Sequence, residues 1–350
     1  MDPAKTAAID IVEAGYDLEL EPSDWLPNVS VAGRPLVDLG LGYYVALLGG
    51  KSEDGQHLIT QLHQGAGPDD LLPRIFRAAQ VAGAESVARW SQAMMTKGVG
   101  TVSELKDEFP RAHKALTEHG GYKDGLSLNA IDPDWVGVSV TIPSPELIEL
   151  SPRERERWLM LAIHIAAGHR LRRGIIDSTG ASGVTSTEMP IGSEALLDPN
   201  KFVVSQAAGG AQDRAASEVI REAAIRIDRA RGKLRKSDPE EALEIWHGLV
   251  RGRWSLIDWF DTDGRRFVLA KPNAPSLGDP RGLTERELQV ATYAARGESG
   301  KIIGYRFGIS PQRVSTLLSS TMRKLSVKTQ AQLVERMRGL PSEPLEQPDS

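Results

Sequence analysis

LTERELQVATYAARGESGKIIGYRFGISPQRVSTLLSSTMRKLSVKTQAQLVERMRG, residues 283–339, reads as four short helices separated by turns. Thr284 stands where a helix needs an N-cap, and Glu287 three residues later completes a capping box. A first helix therefore starts here and runs to about Ala295, before Gly297 stops it. Ser299 caps a second helix, Gly300 to Phe307. Gly308-Ile309-Ser310 forms a short turn, after which Ser310 caps and Pro311 opens a third helix reaching about Leu325. A fourth runs from near Thr329 to near Arg338. Two short helices joined by a three-residue turn have helix-turn-helix geometry.

The third helix sorts by face. At about 100° per residue, Val314, Leu318, Thr321 and Leu325 fall in one narrow stripe with Leu317 at its edge, the side expected to pack inward. The opposite face carries Gln312, Thr316, Ser319, Ser320 and Arg323, flanked by Arg313 and Ser315. Hydroxyl, amide and guanidinium groups suit base edges in a major groove or phosphates. The same residues also describe an ordinary solvated face. Charge adds to the pattern. Residues 283–338 hold ten basic and four acidic side chains, a net +6 within a chain of net −5; with −3 on residues 339–350, this leaves −8 on residues 1–282. A basic module on an acidic body suits a polyanion partner.

With these residues in register, LTERE…ARGESGKIIGYRFGISPQRVS…MRKLSVKTQAQLV resembles the C-terminal DNA-binding domain of LuxR-type regulators. The resemblance covers about 55 residues and rests on Glu287, Val290, Gly297, Ser299, Lys301, Ile303, Gly308, Ile309, Ser310, Val314, Lys324, Leu325, Val327, Leu333 and Val334. It implies that Lys301 meets a phosphate and that Ser315, Thr316 and Ser319 occupy groove-reading positions. It also implies that Lys324 and Lys328 flank the backbone and that the fourth helix contacts a second copy. Gln312, Arg313 and Arg323 complete the expected DNA-facing set. Five positions depart from the pattern: Ile302 replaces the usual Glu, Gly304 the usual Ala, Arg313 a Thr, Leu317 a His and Gln330 an Arg. The partner so implied is double-stranded DNA, bound by a homodimer. The alternative is a regulatory interaction protein in which the module pairs with another protein and Leu317 forms part of an apolar contact.

Upstream, KPNAPSLGDPRG at 271–282 marks a linker, assigned to 273–282, and the proline-containing 340–350 reads as a disordered tail. The body has a mixed pattern. Helices are expected at 70–96, 102–119, 151–173, 213–235 and 239–251, and strands at 125–130, 136–142, 195–205, 254–260 and 265–271. The last two strands flank Asp261–Gly264 as a β-hairpin. Residues 1–175 resemble a GAF-like sensory domain, on the strands and closing helix of 121–173. Residues 176–272 resemble a PAS-like domain, by the order of their elements. The fold class is thus α+β sensory-type domains followed by an all-α, four-helix LuxR-type domain. Domains of these sensory kinds hold a small molecule between sheet and helices or serve only in dimerisation and relay. Both readings stand for an unidentified ligand in the N-terminal region.

Other signals are weaker. The chain has no cysteine, which excludes disulfides, zinc–thiolate sites and iron–sulfur clusters. Gly50-Lys51-Ser52 resembles the end of a phosphate-binding loop, but Val45 stands where the loop's first glycine belongs. LSPRERERWLMLAIHIAAG at 150–168 echoes the start of the C-terminal module, and Ser151, Pro152 and Glu154 supply the same helix-start residues. His164 and His169 lie on that helix without a visible third metal ligand. Trp135, Trp158, Trp246, Trp254 and Trp259 read as core rather than as an aromatic box. No nucleophile–base pairing stands out, so neither enzyme activity nor a cofactor is expected. No signal peptide or membrane span is visible, and the expected location is cytoplasmic.

Overall fold

Strand β4 (Asp124–Ile131) is buried along its whole length, because its alternating side chains serve two different environments. Leu126, Leu128 and Ala130 enter an apolar core. Between them, Asn129 donates from Nδ2 to the Met94 carbonyl (3.1 Å) and accepts from Ser139 (2.7 Å) and Ser127 (3.2 Å). These bonds satisfy polar groups that burial would otherwise penalise. The computed structural model describes residues 3–52, 57–181, 189–274 and 283–338. It divides into two units, Met1–His169 with Arg235–Leu243, and Arg170–Leu234 with Glu244–Ser350.

In the first unit, β4 belongs to a five-stranded sheet with β1 (Tyr43–Lys51), β2 (His57–Ala66), β3 (Val99–Thr101) and β5 (Val136–Ser144). The order is β2-β1-β5-β4-β3 and every pairing is antiparallel. Helices α1 (Pro3–Gly15), α2 (Pro22–Val37) and the first part of α6 (Pro152–Ala181) share its main core. There Ile11, Trp25, Leu26, Ala162 and Ile165 cluster with Leu126, Leu128 and Val140. Helices α3 (Leu71–Ala82), α4 (Ala84–Thr96) and α5 (Pro110–Gly120) build smaller cores around Met94, Phe109 and Ala112 and around Ala78, Leu116 and Tyr122. The short α8 (Arg235–Ser237) and most of α9 (Pro239–Ile245) return to this unit. Arg235 pairs with Asp10 and Glu13, and Glu240 with Arg153 and Arg157.

The second unit holds a four-stranded antiparallel sheet of β6 (Ala195–Asp198), β7 (Val203–Ala207), β8 (Trp254–Phe260) and β9 (Arg266–Pro272), in the order β7-β6-β9-β8. Helix α7 (Arg214–Arg229) buries Ala216, Ile220, Ala223 and Ile227, and its start is capped by Asp213, which accepts from the Ala216 amide (2.9 Å). The hairpin β8–β9 forms as its residues indicate. Asp261 accepts from the amides of Asp263 (3.0 Å) and Arg265 (2.8 Å), and Gly264 takes a positive φ of 74°.

Several elements differ from the sequence pattern. The expected strand 195–205 is a hairpin of β6 and β7: Pro199 supplies no ladder donor, Asp198 accepts from the Asn200 amide (2.8 Å), and Phe202 sits at φ 47°. The expected helix 70–96 breaks at Gly83, whose φ of 84° leaves the helical region. The helix expected over 102–119 starts only at Pro110, after a single tight turn at Ser103–Leu105. α7 stops at Arg229 and gives way to a wider turn over Ala230–Leu234, where Gly232 is non-helical. The helix expected to reach 251 ends at Ile245. Helix α6 continues past 173 to Ala181.

Gly50-Lys51 closes strand β1, the next strand starts at His57, and Lys51 lies over the Trp135 ring at 3.9 Å. The strand-to-helix passage of a phosphate loop is not built there. His164 is buried with Nδ1 3.3 Å from the Tyr16 hydroxyl, and His169 packs on Trp25. Trp246 and Trp254 are fully buried, whereas Trp135, Trp158 and Trp259 are half-buried. Among the described residues no helix is long and apolar enough to cross a membrane. Of the expected linker only Asn273 and Ala274 are described, and the expected tail lies outside the described residues.

Candidate nucleic-acid interface

The C-terminal helices are α10 (Glu285–Ala295), α11 (Gly300–Phe307), α12 (Pro311–Lys324) and α13 (Gln330–Arg338). Their caps are local and form as the residue types dictate. Thr284 accepts from the Glu287 amide (3.3 Å) while the Glu287 carboxylate accepts from the Thr284 amide (2.8 Å). Ser299 accepts from Ile302 (3.3 Å) and Ser310 from Arg313 (3.2 Å). Gly308, at φ 61°, ends α11 and turns the chain toward α12. Leu288, Val290, Ala291, Tyr293, Ile303, Phe307, Val314, Leu325 and Leu333 share one core.

On α12 the buried positions are Val314, Leu317 and Thr321, followed by Leu325 at its end. Leu318, expected in the stripe, is half-buried, and Leu317, expected at its edge, is the residue that enters the core. Leu317 therefore packs within its own domain. The outer face of α12 presents Gln312, Arg313, Ser315, Thr316, Ser319 and Arg323, all exposed. Thr316 donates from its hydroxyl to the Gln312 carbonyl (3.0 Å), which leaves the oxygen's remaining lone pair facing outward as an acceptor.

Two residues near this face turn inward. Ser320 donates to one Glu287 oxygen (2.6 Å) and the Lys324 ammonium to the other (2.6 Å). The side chain of Glu287 is 5% exposed. Lys324, then Ser320 and the Thr284 donors, hold its carboxyl down at about 2. A buried carboxylate thus ties the first helix of the module to the recognition helix. Lys324 spends its charge on that tie as well as on any phosphate. Lys301 is exposed at the start of α11, 3.9 Å from Glu244, and Lys328 is exposed between α12 and α13. The six outward residues of α12 share one helix face, while Lys301, Lys324 and Lys328 stand on its margins and on neighbouring elements.

An unanticipated feature is the seat beneath α11. The Tyr305 hydroxyl donates to the Trp246 carbonyl (2.6 Å), the Tyr305 ring meets His247 edge-on at 5.3 Å, and Leu249 joins the helical core. Arg286 donates to the Gly252 carbonyl and to Gln289 (3.0 Å). Burial, reinforced by Arg226, lowers His247 to about 4. The segment 246–252, which leads into β8, therefore holds the helical domain against the second sheet within one unit. Two departures from the resembled pattern are closely packed within the module itself. Ile302 is fully buried where Glu is usual. At Gly304 an added Cβ would lie 2.7 Å from the Ile309 carbonyl oxygen.

Residues 281–337 match the family model described as bacterial regulatory proteins, luxR family. No curated protein matches the chain.

Proposed function

We propose that this chain, whose C-terminal segment is a luxR-family helix-turn-helix domain, regulates transcription by binding specific duplex DNA through α12. The observation that carries the reading is the single exposed face of α12, with Arg313 and Arg323 among Gln312, Ser315, Thr316 and Ser319. The arginines bind phosphates or guanine edges, and the short hydroxyl and amide groups contact base edges at close approach. Lys301, Lys324 and Lys328 supply further backbone contacts, with Lys324 exchanging Glu287 for a phosphate. The exposed side of α13 serves a homodimer, which sets the spacing of two half-sites. No residue is assigned a catalytic role.

Upstream, we read the first unit as a GAF-like sensor and the second sheet as PAS-like. Supporting this are the β2-β1-β5-β4-β3 order, helical cores α1, α2 and α6 against the first sheet, and the placement of α7 to α9 between the two hairpins of the second. In this reading the segment 246–252 relays the state of the sensor to the module seated on it.

Selection from random duplexes tests the proposal. The full chain is expected to enrich one motif. Thr316→Ala and Ser319→Ala are expected to change the preferred bases, each by about 1–3 kcal/mol of discrimination at the contacted position. Lys301→Ala is expected to weaken every sequence alike. Enrichment of no motif by the wild-type chain contradicts sequence-specific reading.

A further inference from the structure

In the second unit a cleft of about 460 Å³ opens between the end of β9, the 170–174 turn of α6 and the start of α10. Its size lies within the range of small-molecule sites, about 300–1,000 Å³. Among the described residues its lining is dominated by cations: Arg170, Arg253, Lys271 and Arg286 face it together with Asn273 and one carboxylate, Glu285.

Lys271 is buried, and Arg170, Arg253 and Arg286 are partly buried. Lys271 is 9% exposed and donates from Nζ to the Ile191 carbonyl (2.5 Å), a neutral acceptor. Burial alone lowers its ammonium from the usual value. Arg286 also donates to neutral oxygens, those of Gly252 and Gln289. Burial lowers it, Glu285 partly opposes this, and Arg253 adds to it. Arg253 pairs with Glu194, and Arg170 holds Asn273 through Nε (2.9 Å). Asn273 is itself fixed by donating to Ser255 (2.8 Å), so the floor of the cleft is positioned from beneath. Burying Lys271 and Arg286 against neutral oxygens costs free energy that those hydrogen bonds recover only in part. An anion seated beside these two groups adds an opposite charge where their hydrogen-bond acceptors are neutral.

We propose that this cleft binds a small polyanion, a molecule carrying phosphate or carboxylate groups, held by Arg170, Lys271 and Arg286. Arg286 lies in the first turn of α10, Lys271 lies at the end of β9, and Asn273 directly follows that strand. An occupant therefore contacts the sheet and the helical module of this unit at once. The site rests on the cleft and not on the DNA-binding reading, and its test contains no DNA.

The experiment is isothermal titration calorimetry of the full chain with inorganic pyrophosphate and, separately, with citrate, at matched ionic strength. At least one is expected to bind saturably at one site per chain, and the tighter of the two identifies the chemical source. Lys271→Met and Arg170→Gln are each expected to weaken binding about tenfold or more, the loss that follows from removing one charged hydrogen bond. Arg170 is only half-buried, so its variant keeps the test valid should Lys271→Met fail to fold. The double variant Arg313→Gln, Arg323→Gln on α12 is expected to bind the anion as wild type does. Absence of saturable binding to either anion, full binding by a folded Arg170→Gln, or loss in the α12 variant instead, overturns the proposal.

Discussion

Glu287→Ala is expected to destabilise the C-terminal module by about 3 kcal/mol or more, since it removes a buried ionic hub and leaves its partners unpaired. Lys324, Ser320 and the Thr284 amide all direct donors at this carboxylate. Alanine abolishes the capping box and the bonds from Ser320 and Lys324 to α10. Glu287→Gln keeps the shape and one acceptor oxygen and is expected to fall between. Acid should act in the same direction. The carboxyl lies at about 2 against an ordinary 4.5, so its contribution is full above pH 4.5 and is lost as pH falls through 2. The integrated effect is on the order of 3 kcal/mol. Amide hydrogen exchange in α10 and α12 reads this locally. Protection factors, normalised to the intrinsic exchange rate at each pH, that fall at low pH in the wild type but not in Glu287→Gln are the expected result. Unchanged exchange in Glu287→Ala would remove the hub from the account.

The second large effect is expected at Gly308. Its φ of 61° costs an alanine about 1 kcal/mol, and an added Cβ would lie 2.1 Å from the Leu249 carbonyl oxygen. Backbone must move to admit it, so Gly308→Ala is expected to cost about 3 kcal/mol in total and to loosen the module from the segment 246–252. Gly308→Asn separates the two causes. Asparagine tolerates the left-handed conformation but carries the same Cβ. Thermal unfolding of both variants should show similar losses. Near-wild-type stability of Gly308→Asn would mean that the seat on Leu249 yields easily.

The contrast between these positions shows what the amino-acid sequence made legible. Thr284, Ser299, Ser310 and Pro311 announced the helix starts because caps act over three residues. Asp261–Gly264 announced its hairpin for the same reason. The luxR-type module followed from such local grammar and a matching register. Leu317 and Leu318 could not be ranked locally, since both lie near the apolar stripe and the packing of α10 and α11 decides between them. The hub at Glu287 was legible only as a cap. Its bonds to Ser320 and Lys324 span more than thirty residues. The seat formed by Trp246, His247 and Leu249 was hidden for the same reason, as was the cationic cleft, which gathers Arg170, Arg253, Lys271 and Arg286 from distant stretches. Strands β1 and β2 escaped the pattern because glycines and half-buried polar residues interrupt their alternation.

The central claim is that the exposed face of α12 binds duplex DNA. Its most direct test is the salt dependence of duplex affinity, measured by fluorescence anisotropy for the full chain and for Arg313→Gln and Arg323→Gln. The account predicts tight binding at low salt, a steep linear fall of log affinity with log salt, and a slope smaller by about one in each variant that loses a phosphate contact. Absence of salt-sensitive binding in the wild-type chain, or identical slopes and affinities in all three proteins, would contradict it.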